Sequence, residues 1–321
     1  VISTGLMVQV SIKSHQIPKG NTMKSFDHYS IVIALNHLTD VIGEASQTNL
    51  FKDYIMPVFV VILSAVTAYF IAIRGYKFQE ASRNERAKAD ALNTIMLQMQ
   101  NMQSNLIATK YNYSDDLETH PLQRALNVPT ISARIETATF KPNELAQLLY
   151  ADKVDIEKHP WMNIASFVAT YGNYNQLVEL LKLRNQLNEE VKKKLAPLIA
   201  NSNSRGQINM EKALLLLDDD LTMKYIDLTE RLITSVDDLL ITMDDFLRNF
   251  PRKASAMLKK KYITGYVYFN DYINQSERFK KSLERCTKVN LDILAAMMKF
   301  DKQEVIKRYV DNSTVITTPK N

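Results

Sequence analysis

The sequence predicts a mainly α protein, a single transmembrane helix followed by a cytoplasmic helical-bundle domain. Three observations predict it. Tyr54–Ile73 (YIMPVFVVILSAVTAYFIAI) is an uncharged run of 20 residues, and at ~1.5 Å per residue such a helix spans ~30 Å, the hydrocarbon thickness of a bilayer. Glycine is scarce, seven in 321 residues, and helix formers dominate the chain beyond that run. Apolar residues recur there every three or four positions over long stretches, the period of a helix with one buried face.

Residues 1–53 read as an N-terminal extracytoplasmic tail. Residues 1–22 show no sustained period and begin with Val1, whereas Met23 opens a cleaner segment. An alternative start codon or an over-extended gene model accounts for that. Ser30–Leu38 is apolar but short, and Asp40 and Glu44 come after it, so an interfacial or packed helix is expected rather than a second span.

Residues 54–73 are the span. They begin too far into the chain for a signal peptide, and no small-x-small cleavage site comes after them. Pro57 falls in the first turn, where its missing N–H costs little. Tyr54, Tyr69 and Tyr76 lie near the two ends, as interfacial aromatics do. Arg74, Lys77, Arg83, Arg86 and Lys88 come after the span, and only Lys52 stands in the matching window before it. That asymmetry predicts an N-out, C-in inner-membrane protein of a bacterial-type cell. The same five cations are the expected contacts for anionic lipid headgroups. One cysteine, Cys286, excludes an intramolecular disulfide and suits a reducing compartment.

Residues 74–110 predict a membrane-proximal helix. Leu92, Ile95, Met99, Met102 and Leu106 are spaced three and four apart, a heptad seam set among Gln98, Gln100, Asn101 and Gln103. The seam has two readings: a coiled coil pairing protomers into a homo-oligomer, or a helix packing on its own domain. Residues 111–142 form a connector marked by Pro121, Pro129 and Pro142. Within it Ile131, Ala133 and Ile135 alternate like a short strand that has no visible sheet partner.

Residues 143–200 predict a short-helix subdomain. One helix opens at Pro142-Asn143-Glu144 and another at Pro160-Trp161, and Gly172-Asn173 breaks before Leu177–Leu187. Residues 169–183 (ATYGNYNQLVELLKL) resemble the second half of an ankyrin-type repeat. The Thr-Pro-Leu-His stretch of such repeats is absent, so helix–turn–helix packing is the better reading. Residues 200–207 (ANSNSRGQ) read as a polar loop.

Residues 210–311 carry the strongest periodicity. Leu221, Tyr225, Leu228, Leu232, Val236, Leu239, Met243, Phe246 and Phe250 define one buried stripe. Net charge is −6 over residues 211–250 and +8 over 251–310, with Pro251 between. An antiparallel hairpin with complementary faces is expected. Residues 312–321 form a tail.

Candidate chemistry is sparse. Asp237, Asp238, Asp244 and Asp245 stack two turns apart on this helix, and paired carboxylates can hold Mg²⁺. The pattern resembles the aspartate-rich motif of prenyl-chain enzymes, with different spacing and no second motif. A solvated acidic face is the competing reading. Asp218-Asp219-Asp220 lies too far upstream on the helix to share a metal. Arg252, Lys253, Lys259, Lys260 and Lys261 lead into Tyr262 and Tyr266, a basic and aromatic patch. Such a patch serves packing, lipid headgroups or single-stranded nucleic acid. The net charge of +5 is modest and does not by itself imply nucleic acid, which is not the expected partner. Cys286 sits between Leu283 and Val289 in helical phase and reads as core packing. None of the five histidines shows a metal spacing, and no Gly-rich phosphate loop or G-x-S-x-G occurs.

The expected function is therefore a membrane-anchored interaction, sensor or effector module, as in bacterial stress or anti-phage systems. Its partners are the lipid bilayer, a second copy and a cytoplasmic protein, and it needs no cofactor. The alternative is a Mg²⁺-dependent helical enzyme using the Asp-rich helix 218–245.

Overall fold

The computed structural model of the chain describes residues 32–36, 51–131, 135–139, 141–149, 159–200 and 209–319. Helices account for 76% of the structure, and no strand forms among the described residues. The expectations for residues 1–22, for the ends of Ser30–Leu38 and for the loop after Ala200 fall outside the described residues. The described residues divide into two compact units. One comprises 88–258 and 268–319, the other 32–36, 51–87 and 259–267.

The smaller unit contains a short helix α1 (residues 32–36) and the first part of α2 (Met56–Lys110). A π-helical turn, Phe51–Ile55, leads into α2. Val58, Phe59, Val61, Ile62, Leu63, Val66 and Phe70 are all exposed large apolar side chains. One helix is thus long and apolar enough to cross a membrane, and its apolar window is 0% buried. The hydroxyls within this stretch return to the helix. Ser64 Oγ donates to the Val61 carbonyl at 2.9 Å and Thr67 Oγ1 to that of Leu63 at 2.8 Å. Neither hydroxyl then needs water, the condition for a polar group in hydrocarbon. Beyond the apolar stretch, the Glu85 carboxylate accepts from Lys259 N at 2.9 Å and Ser82 Oγ donates to the Tyr262 carbonyl at 2.8 Å. Gly265, at φ +77°, makes the left-handed turn that these residues need.

In the larger unit the rest of α2 is a core helix. Leu92, Ile95, Met99, Met102 and Leu106 are all buried, at most 4% exposed. The coiled-coil reading is corrected: the seam is consumed within the chain. The flanking polar residues are consumed there too. Gln98 Oε1 accepts from Tyr171 OH at 2.9 Å, and Asn105 Nδ2 donates to Tyr174 OH at 3.3 Å.

Four further helices come next: α3 (Pro121–Asn127), α4 (Pro142–Leu149), α5 (Ile164–Ala200) and α6 (Met210–Leu216). His120 caps α3, its side chain accepting from Gln123 N at 3.4 Å. The connector does not form a strand at its described residues. Ile131 N and O are both bonded by the Asn185 amide, and Ala138 N and O by that of Asn175. The missing sheet partner is a row of asparagines on α5. Gly172-Asn173 does not break that helix. Tyr171 and Tyr174 on either side are buried, and this packing outweighs the ~1 kcal/mol that glycine costs a helix.

The helix α7 (Asp219–Ala256) is the axis of the unit and packs chiefly on α5. Asp218 caps it, accepting from Leu221 N at 2.8 Å. Asp219 and Asp220 occupy the first turn, where the helix dipole favours carboxylates. This explains the Asp218–Asp220 run without a metal. The predicted stripe is buried apart from half-buried Leu228. A second stripe is buried beside it: Ile226, Glu230, Ile233, Asp237, Leu240 and Leu247. Phe246 and Phe250 stack at 4.7 Å, and Trp161 and Phe167 meet Phe246 edge-on at 5.0 and 5.4 Å.

The hairpin is corrected. Pro251 lies inside α7, and no long basic helix comes after it. Residues 268–319 hold short helices, α8 (Glu277–Leu283), α9 (Leu291–Met298) and α10 (Lys302–Ile306), the last running into a π-helical turn, Lys307–Asp311, with irregular chain between them. The charges still meet. Lys299 pairs with Asp219, Arg308 with Asp227 and Arg285 with Asp238, at 2.6, 3.0 and 2.6 Å. Complementary charge guides a wrapped chain here, and the apolar stripes hold the helix.

Candidate functional site

A helix as long as α7 with two buried stripes forces some of its acids inside. Asp237 and Asp238 are 4% and 2% exposed. The expectation of an outward acidic face is corrected for this pair, because adjacent residues project ~100° apart on a helix and α7 is covered on more than one side. Asp237 pairs with Lys110 Nζ at 2.7 Å and accepts from Cys286 N at 2.8 Å. Lys110 Nζ also donates to the carbonyls of Ser282 and Glu284. Asp238 takes Arg285 on one oxygen at 2.6 Å and Thr314 N on the other at 2.8 Å.

Farther along α7, the second pair is only half-buried. Asp244 pairs with Arg248 at 2.8 Å, and burial still raises its carboxyl. Asp245 accepts from Trp161 Nε1 at 2.6 Å, Thr318 N at 2.9 Å and Asn249 Nδ2 at 3.0 Å. All four carboxylates are thus engaged by protein donors. Among the described residues no group of three or more histidine, cysteine, aspartate or glutamate side chains is placed to hold a metal.

Beside Asp237 lies a cavity of about 360 Å³, lined in part by Arg124, Glu230, Asp237, Cys286, Tyr309 and Ser313. Arg124 and Glu230 meet at 2.8 Å, both almost fully buried. Their contact is a pairing of charges rather than an aligned hydrogen bond, since Arg124 Nε and Glu230 Oε1 have no hydrogen-bond partner. Burial outweighs the arginine and pushes the Glu230 carboxyl up to about 7. Cys286 is not helical as expected. It lies in irregular chain after α8, half-buried. Burial first, then Asp237, pushes its thiol up to about 12. A thiol so raised stays protonated near neutrality and is a poor nucleophile. The cavity therefore holds a carboxyl raised by burial and a protonated thiol.

Neighbouring this cavity, Arg184 is fully buried. Its guanidinium donates to the carbonyls of Ala125 at 2.9 Å, Pro129 at 2.7 Å and Val128, closing the C-terminal end of α3. Tyr225 OH, at 3.1 Å, completes its shell. None of Lys110, Arg124, Arg184 and Glu230 was expected to matter. The signal was available for two of them. Arg184 continues the phase of Leu177 and Leu181, and Glu230 that of Ile226 and Ile233. A charge at an apolar-phase position is a buried charge in waiting.

The basic and aromatic patch is divided between the units. Arg252 and Lys253 belong to the larger unit, where Arg252 pairs with Asp271 at 2.9 Å. Lys259, Lys260, Lys261, Tyr262 and Tyr266 belong to the smaller. There the Tyr262 ring lies 5.4 Å from Phe78, Lys261 Nζ lies 4.6 Å over that ring, and Arg86 lies 5.8 Å over Tyr266. These tyrosines are occupied by their own unit rather than presented as a stacking platform. Of the cations expected at a lipid surface, Arg74, Lys77, Arg83 and Arg86 are exposed and Lys88 is half-buried. No known protein family, curated protein or solved structure matches the chain.

Proposed function

We propose that the protein is a single-pass inner-membrane protein, N-out and C-in, whose larger helical unit is a binding module for a cytoplasmic protein. One observation carries this reading. The same helix that exposes Val58–Phe70 on all sides supplies Leu92–Leu106 to a protein core. A bare apolar helix of that length is stable in lipid and an aggregation site in water. The cations Arg74, Lys77, Arg83 and Arg86 then meet anionic headgroups. The interaction reading is favoured over a Mg²⁺ enzyme because Asp237, Asp238, Asp244 and Asp245 are spent on protein donors.

The test is fractionation and topology. The full chain should stay with membranes through carbonate extraction. A fluorescent-protein fusion after Asn321 should be bright and an alkaline phosphatase fusion there inactive. Release of the protein at high pH overturns the anchor, and active phosphatase reverses the orientation.

A further inference from the structure

Residues 312–319 run beside α7 without forming a helix. Thr314 N donates to Asp238 at 2.8 Å, Ile316 N to Thr242 Oγ1 at 3.1 Å and Thr318 N to Asp245 at 2.9 Å. Every second N–H faces the helix, the alternation of an extended chain. The acceptors stand at positions i, i+4 and i+7 of α7, one face of a helix. The two repeats are near each other over this short stretch: four extended residues rise ~13 Å and seven helical residues ~10.5 Å. Hydroxyls reinforce both ends. Ser313 Oγ reaches Asp238 at 3.0 Å and Thr318 Oγ1 reaches Asp245 at 2.8 Å.

These contacts read a main chain in register, with hydroxyls at its two ends. Apolar burial contributes little to holding it. Ser313, Thr314 and Thr317 are exposed, and Val315, Ile316 and Thr318 are only half-buried. A segment held by a few half-buried hydrogen bonds at the edge of the unit opens more readily than the core beneath it. We propose that the Asp238–Thr242–Asp245 face of α7 is a receptor for an extended peptide of a partner protein. That peptide carries Ser or Thr side chains about five residues apart, as Ser313 and Thr318 are. Residues 312–319 occupy the face in cis until such a peptide displaces them. The mode is capture of main-chain donors by a fixed row of acceptors, with specificity set by the end residues. Two of the three acceptors are carboxylates, which bind N–H and O–H groups more strongly than neutral acceptors do. The proposal names the partner of the module proposed above, and it stands whether or not Tyr54–Ile73 inserts in a membrane.

The experiment uses the full chain in mild detergent. Its probe is a labelled synthetic peptide of residues 312–319, blocked at both ends. Cys286, the single cysteine, reports opening, because Tyr309, Val310 and Ser313 line the cavity in which it lies. Thr314→Pro with Thr318→Pro removes two of the N–H donors and leaves α7 untouched. This variant should keep its circular dichroism. It should alkylate at Cys286 at least about tenfold faster than wild type, the lower end of the scale expected for the lost N–H bonds of Thr314 and Thr318 and the lost Thr318 hydroxyl bond. It should bind the probe at least about tenfold more tightly than wild type, where the tethered segment competes at high effective concentration. A probe with prolines at the same two positions should not bind. Truncation after Asp311 should repeat these results if the double variant misfolds. Unchanged alkylation, or no probe binding by either folded variant, makes the segment a fixed part of the structure and overturns the proposal. Wild-type dimers that dissociate on truncation assign the face to a second copy and equally overturn the choice of a partner protein.

Discussion

The two halves of α2 make opposite use of apolar residues. From Val58 to Phe70 the large apolar side chains point in every direction and lie exposed. From Ala89 to Ile107 they keep a three-and-four period, and the buried ones include Leu92, Met99 and Leu106. Charge divides the halves in the same way. The first carries none between Tyr54 and Ile73, whereas the second ends on Lys110, 2% exposed and 2.7 Å from Asp237. Composition alone distinguishes a helix apolar on every face from one apolar only where neighbours reach it. The lipid helix must be apolar on all faces, and the core helix only where neighbours reach it.

Substitutions in matched positions break this comparison at different places. The largest effect is expected from Met99→Asp, which removes a fully buried side chain and buries a bare carboxylate. The cost should exceed ~5 kcal/mol, the lower end of a domain's total stability. Loss of the cooperative urea transition in the detergent-solubilised chain would report it.

Lys110→Ala should cost ~3–5 kcal/mol by urea unfolding, because Asp237 is left buried without its counter-charge. A near-neutral result would mean that Cys286 N and water suffice for Asp237.

Glu230 tests the buried charges by pH. Its carboxyl stands at about 7 in the folded unit against an ordinary 4.5. The folded state therefore keeps a proton that the unfolded chain has released across that window. Stability should be full below about 4.5, fall as pH rises and level off above about 7, by on the order of 3 kcal/mol in total. Glu230→Gln should flatten that slope, and a profile unchanged by it would assign the slope to another group.

Leu63→Asp places in the first half the charge that Met99→Asp places in the second. It should leave the urea transition of the larger unit unchanged and weaken membrane partition by ~2.5–3.5 kcal/mol, read as release during carbonate extraction. A shifted urea transition would contradict the separate roles of the halves. The smallest effect concerns Gly172, in mid-helix with nothing within 4 Å of an added Cβ. Gly172→Ala should raise stability by ~0.5–1 kcal/mol. Gly75→Ala, equally open in the first half, should leave the urea transition where it is.

The sequence alone determined what depends on local pattern. A helix long and apolar enough to cross a membrane came from length and lack of charge, the helical class from composition, and the long stripe of α7 from its period. The N-terminal caps of α3 and α7 lie at residues read only as loop or acid run, although Asp before a helical period is a recognised start signal. The tertiary structure decided everything that depends on which neighbours arrive. It spent the Leu92–Leu106 seam inside the chain, because a heptad pattern states which face is buried and not by what. It carried α5 through Gly172 and α7 through Pro251, because packing energy over a long helix exceeds a single local penalty. It turned Asp237, Asp238 and Glu230 inward beside Lys110 and Arg124, partners far away in the chain. No spacing rule reaches such pairs, because a buried charge is tolerated only where the fold delivers its counter-charge. The row Asp238, Thr242 and Asp245 became a candidate peptide-binding face for the same reason. Its spacing was legible in the sequence, but its meaning came only when an extended segment lay across it.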